Sequence, residues 1–207
     1  MCVFCQEFNE GSDRIIWEDD DWVVIPGRGA FVEGYCLLLP RTCCSAFSRL
    51  EATESSSVDK VAEAVRGAIE KCFGPTAIAE HGVGKTPGDL GSCCCADHAH
   101  LHFLPVPKPE DMVQEYQLVG GNPVVIPSLA ALGTYDASYL FLSPAPHIYL
   151  VWPWEKGFLK QFARRVAAAQ WGETRWNWQR DTFEGNMQRT LEILHTIPRP
   201  WCGRNPD

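Results

Sequence analysis

Asp97-His98-Ala99-His100-Leu101-His102-Phe103-Leu104 holds three of the chain's six histidines at spacing two. In an extended strand, side chains alternate between faces. His98, His100 and His102 would then share one face, and Ala99, Leu101 and Phe103 would line the other. Imidazoles on that face are spaced about 6.5–7 Å along the strand, which leaves room for a phosphate or a metal ion. A solvated polar strand face is the plainer reading of such a row. The clean apolar backing and the surrounding residues point instead to a site.

The chain has 207 residues, 45% of them hydrophobic. That suits one globular domain, or one with a substantial appendage. Net charge is −8 and no long Lys/Arg run exists, so duplex nucleic acid is excluded as an expected partner. Any phosphate must be held by local groups rather than by a global field. No apolar run reaches the ~18 residues of a membrane span. Met1 to Glu7 lacks a basic segment followed by a long apolar core, so no signal peptide and a cytoplasmic location are expected. Of ten cysteines, seven cluster as Cys2/Cys5, Cys43/Cys44 and Cys93/Cys94/Cys95. Adjacent cysteines suit a disulfide framework poorly, which leaves metal ligation or inert packing.

Working outward, residues 15–18 and 22–25 read as short strands around the acidic turn 19–21, and residues 34–40 read as a buried strand stopped by Pro40. Val58, Val61, Ala62, Val65, Ile69 and Cys72 recur at helical spacing, which predicts one helix over 52–73. Residues 76–80 predict a strand, and residues 82–97 a loop rich in glycine and cysteine. The histidine strand follows and ends at Pro105, with Pro107 and Pro109 continuing the break. A hairpin is expected from 135–142 and 147–152, with helices over 158–170 and 183–194. Residues 1–110 are read as the chemical core, and 111–207 as an extension packed on it.

His98-Ala-His100-Leu-His102-Phe-Leu follows the pattern His-φ-His-φ-His-φ-φ, with φ apolar. It resembles the histidine-triad (HIT) superfamily of nucleotide hydrolases and transferases. Cys2-Val-Phe-Cys5 looks like the opening Cys-x-x-Cys of many members. Gly34-Tyr-Cys-Leu-Leu-Leu-Pro40-Arg41 looks like their Gly-His-φ-φ-φ-φ-Pro-Lys/Arg strand, with Tyr35 at the histidine position. Gln161-Phe-Ala-Arg164-Arg165 and Trp176-Asn-Trp178 resemble segments of a bacterial HIT-like group. The resemblance implies an α+β fold: a five-stranded antiparallel sheet with a packed long helix, here joined by a C-terminal hairpin-and-helices extension. Many members pair through symmetric sheet extension, an edge that the C-terminal hairpin is placed to occupy instead. A monomer or a homodimer is therefore expected.

By position in that pattern, His100 is the nucleophile toward an α-phosphorus, forming a nucleotidyl-histidine. His102 would donate to phosphate or bridging oxygens. The loop before the strand would bind phosphate through Ser92, Cys93, Cys94 and Cys95. The cysteines depart from the small polar residues usual there, and a thiol is a weak donor. His81 is a candidate contact for a substrate's phosphate or sugar, or else an ordinary hydrogen-bonded histidine. Gly84-Lys85-Thr86 resembles the tail of a phosphate loop, but Ala79 stands where the first glycine belongs.

Cys2-x-x-Cys5 is half a zinc site by its spacing. In zinc-binding relatives the other ligands lie three residues after the proline of the Pro-Lys/Arg segment and at the first triad histidine. Here those positions are Cys43 and His98. The implied set is Cys2, Cys5, Cys43 and His98, a closed structural zinc site with Cys44 as fallback. Packed reduced thiols are the alternative.

Phe4, Phe8, Ile16 and Ile25 are candidates for an apolar nucleobase wall, or else plain core. Trp152, Trp154, Trp171, Trp176 and Trp178 are placed to cover the site or to stack on a base or sugar. Arg164 and Arg165 point about 100° apart on a helix, so one can face phosphate while the other is solvated. The resulting expectation is an enzyme that attacks a nucleotide's α-phosphorus through His100 and releases a nucleoside monophosphate. Transfer to phosphate or a sugar phosphate, as in nucleotide phosphorylases and uridylyltransferases, is the second reading. A nucleotide-binding protein with little turnover is the third.

Overall fold

Five short runs of β-branched and aliphatic residues in the first half of the chain form adjacent antiparallel strands. They are β1 (Trp17–Glu18), β2 (Trp22–Pro26), β3 (Cys36–Pro40), β4 (Thr76–Gly82) and β5 (Leu101–Pro105). The protein is described here from a computed structural model, over residues 2–84, 98–154 and 158–201. The loop residues Ser92, Cys93, Cys94 and Cys95, and Lys85 with them, lie outside these described residues.

The sheet does not stop at five strands. Its order is β1-β2-β3-β5-β4-β7-β8-β6, where β6 is Val124–Ile126, β7 Tyr139–Ser143 and β8 Tyr149–Pro153. The expected hairpin is therefore present as β7 and β8, with β7 bonded antiparallel along β4 from Ile78↔Ser143 to Gly82↔Tyr139. Eight strands in place of five follow from that pairing. An unpaired β4 would expose a row of backbone donors and acceptors, and β7 satisfies them.

The long helix is α2 (Ala52–Phe73), as its apolar spacing predicts. Glu51 and Glu54 form a reciprocal capping box at its start. Val58, Val61, Ala62, Val65 and Ile69 pack on Val24, Leu38, Ile78, Leu101 and Phe103. Leu191 and Leu194 of α5 (Glu184–Leu194) join the same layer. On the opposite sheet face, Leu37, Leu39, Ala79, Leu104 and Leu142 pack with Met112 and Tyr116 of α3 and with Val166, Ala167 and Ala168 of α4. Here α3 is Pro109–Gly120 and α4 is Phe162–Gln170.

Three of the differences from expectation have clear physical reasons. Pro109 opens α3 rather than extending a break, since proline at the first helical position loses no needed hydrogen bond. Helix α4 begins at Phe162 rather than 158, because Gln161 sits in the left-handed region at φ 55°. The N-terminus forms α1 (Val3–Glu10), with the Cys2 sulfur accepting from the Cys5 amide at 3.5 Å.

Candidate functional site: a histidine pair beside a thiol-histidine cluster

Strand β5 starts at Leu101, so His98 and His100 precede its ladder. Ala99 still holds an extended contact, donating its N–H to the Cys44 carbonyl at 2.6 Å. Ala99, Leu101 and Phe103 pack on the α2 face as expected. The His100 and His102 ring centroids are 4.7 Å apart at 77°. That is closer than strand spacing suggests, because the rings turn edge to face.

Each histidine's role follows from its backbone and side-chain partners. His98 Nε2 lies 2.7 Å from the Pro40 carbonyl, so that nitrogen carries the proton. Nδ1 then presents a lone pair to Cys2 Sγ at 3.4 Å and Cys5 Sγ at 3.5 Å. With Cys43 Sγ, these four ligand atoms all lie within 4.8 Å of one another. A tetrahedral zinc with typical bond lengths sets sulfur and nitrogen ligands about 3.6 Å apart, so the donor set and its spacing fit a metal ion. Cys2 and Cys5 converge because they are one helical turn apart at the start of α1. Burial and the neighbouring thiols push the Cys5 thiol up to about 12, and a divalent cation at this point would displace those protons. The fallback Cys44 faces away, donating to the Ala46 carbonyl at 3.6 Å.

His100 Nδ1 lies 2.8 Å from the His98 carbonyl. A carbonyl only accepts, so Nδ1 carries the proton and Nε2 keeps its lone pair. His102 Nδ1 meets the Tyr35 hydroxyl at 2.7 Å. Register explains this contact. Leu37 pairs with His102, and Tyr35, two residues earlier, lies on the same face. Burial holds both imidazoles below the ordinary histidine value, His102 the further, with His100 and Arg164 adding to its depression. Both rings are therefore neutral near pH 7.

Two cavities meet at this pair. One is lined by His100, His102, His81, Gln161 and Arg164 among others, and the second by Phe4, Leu37, Arg28, Trp178 and the same two histidines. His81 stacks on Trp154 at 4.1 Å, and burial lowers it to about 4. Phe4 lies 5.8 Å from the His100 ring and 5.9 Å from the His98 ring. Phe8 contacts His98.

Ile16, by contrast, packs in the α2 layer on the far side of the sheet, and Ile25 lies in the core on the histidine side without lining either cavity. Of the five clustered tryptophans, Trp154 and Trp178 reach the site. Trp152 is core, and Trp171 is 48% exposed.

Arg164 is the inward arginine. It is 3% exposed and donates to the Tyr35 hydroxyl at 2.7 Å, to the Trp176 carbonyl at 2.9 Å, and to the Gly29 and Arg28 carbonyls. Arg165 instead lies over the Trp176 ring at 3.5 Å. Gly29, at φ 63°, lets the chain come this close, since a Cβ there would fall 2.7 Å from Trp178 Cα. The Arg164–Tyr35 contact joins positions 129 residues apart, and the sequence alone carries no signal for it.

The chain is similar to several solved histidine-triad proteins. They include a hypothetical histidine triad nucleotide-binding protein from Sulfolobus tokodaii, at 18% identity over 50% of this chain and 68% of that one, with TM-score 0.41. A Zn-bound histidine triad family protein from Mycobacterium smegmatis matches at 22% over 50% and 73%, with TM-score 0.41. A HIT family protein from Bacillus anthracis matches at 20% over 50% and 72%, with TM-score 0.42. No family model and no curated protein matches the sequence. Among the described residues, no helix is long and apolar enough to cross a membrane.

Proposed function

We propose that the protein is a nucleotide hydrolase or nucleotidyltransferase that works through a nucleotidyl-histidine intermediate on His100. The observation that carries this reading is the bond from His100 Nδ1 to the His98 carbonyl. It leaves a neutral Nε2 lone pair in a cavity that also contains His102. That lone pair attacks the α-phosphorus and the N–P bond forms. The P–O bond to the leaving group breaks, and His102 donates to the departing or non-bridging oxygen. Water or another acceptor then displaces the nucleoside monophosphate from His100. The cavity beside Phe4 and Trp178 suits an aromatic base, and the side beside His81 and Gln161 suits the leaving group.

Residues 1–110 would carry the reacting histidines, and 111–207 would form an extension that encloses them. Zinc at Cys2, Cys5, Cys43 and His98 would leave no open position for water, so its part is to tie α1 to the start of the histidine segment.

Intact-protein mass spectrometry after brief acid-free quenching, with a panel of nucleotides and nucleotide phosphoramidates, tests the reading. A gain of one nucleoside monophosphate in the wild type, absent in His100→Asn, is the expected result. Full turnover by His100→Asn would exclude the mechanism.

A further inference from the structure

Arg164 comes from the second half of the chain, yet it ends two hydrogen bonds from a triad histidine. Its Nη1 lies 2.7 Å from the Tyr35 hydroxyl oxygen, and that oxygen lies 2.7 Å from His102 Nδ1. The guanidinium sits 4.9 Å above the Tyr35 ring. An arginine only donates. With Arg164 donating into the oxygen, the Tyr35 O–H becomes a stronger donor and a poorer acceptor. The chain of bonds is mutually reinforcing only when it runs head to tail, from Arg164 to Tyr35 to His102. In that direction Nδ1 of His102 accepts, and the proton of the neutral ring resides on Nε2.

We propose that Arg164, acting through the Tyr35 hydroxyl, locks His102 as the Nε2–H tautomer. A residue of the C-terminal extension is thereby a positioning residue for the histidine pair. The two neighbouring imidazoles are then held in opposite tautomers by different partners. His100 offers a lone pair at Nε2 because the His98 carbonyl takes its Nδ1 proton. His102 offers a proton at Nε2 because Tyr35 fills its Nδ1 lone pair. A substrate between them meets one nucleophile and one hydrogen-bond donor, both neutral at rest; the His100 ring takes on positive charge as its N–P bond forms.

The use of that donor rests on the function proposed above, but the tautomer itself does not. Histidine ¹⁵N NMR on the full-length chain, with His102→Gln to assign the signal, reads it directly. The expected wild-type spectrum shows His102 protonated at Nε2 with Nδ1 accepting. Tyr35→Phe keeps the ring and its packing, and should move protonation toward Nδ1. Arg164→Gln should move it in the same direction. If that variant fails to fold, Arg164→Met keeps much of the side-chain length while removing every donor, and serves in its place. A wild-type proton on Nδ1, or an unchanged His102 in Tyr35→Phe, overturns the lock. An unchanged His102 in a folded Arg164 variant confines Arg164 to scaffolding and overturns its part.

With a substrate in hand, Tyr35→Phe should lower kcat by roughly 10- to 100-fold with little change in KM, the signature of a misdirected proton donor. Absence of any nucleotide adduct in the wild type would count against the proposed function and leave the NMR result standing.

Discussion

Glu80 illustrates how a single residue beside the site can set a global property. It is 3% exposed, and its carboxylate accepts from the Phe47 amide at 2.7 Å and the Tyr139 hydroxyl at 2.6 Å. Burial outweighs those two bonds and raises it to about 7 from an ordinary 4.5. The folded state therefore binds this proton more tightly than the unfolded chain does. Its contribution to stability is intact below about pH 4.5 and is lost as pH rises through about 7. Urea titrations of wild type and Glu80→Gln across that window should show the wild type losing stability relative to the variant as pH rises. A constant difference would mean that the carboxyl does not ionise there.

Residues of this kind separate what local spacing reveals from what it hides. The three histidines and the Cys2/Cys5 pair are legible because each set is held by one strand or one helical turn. Tyr35 is visible only as a departure from a family pattern, and Arg164 only as one of two adjacent arginines of which one can face the site; their contact is not visible at all. The fold, not the spacing, brings those two together.

At the scale of elements, His98 links α1 to the histidine segment twice over. Its ring faces the thiols at the start of α1, and its carbonyl orients His100. Metal at the cluster should therefore reach His100 through one residue. Purified protein is expected to carry about one zinc per chain. Chelation should lower the melting temperature and slow adduct formation together. Cys43→Ser should lower metal content, whereas Cys44→Ser should leave it unchanged because that sulfur faces the Ala46 carbonyl. Full folding and adduct formation in metal-free protein would remove the metal from the argument.

Element types with strong periodicity, above all α2, were readable from sequence. Helix α3 was not, because its opening proline reads equally as a stop. Strand β6 is only three residues long, too short for alternation to register, and it owes its place to pairing with β8.

For the whole molecule, the decisive feature is that three strands of the second half continue the sheet of the first. Strand β7 lies along β4, so that edge of the first half's sheet is already paired within the chain. Among the described residues, His100, His102 and Arg164 line both cavities, and Trp178 lines one of them. Activity in mixtures of wild type and His100→Asn should then fall in direct proportion to the wild-type fraction. A curve bending below that line would mean that neighbouring copies share a site.

With β7 seated on β4, a second copy that extends this sheet would have to dock at β1 or β6, the strands at the two ends of the described order, so growth of the sheet is displaced by several strands from the histidine pair.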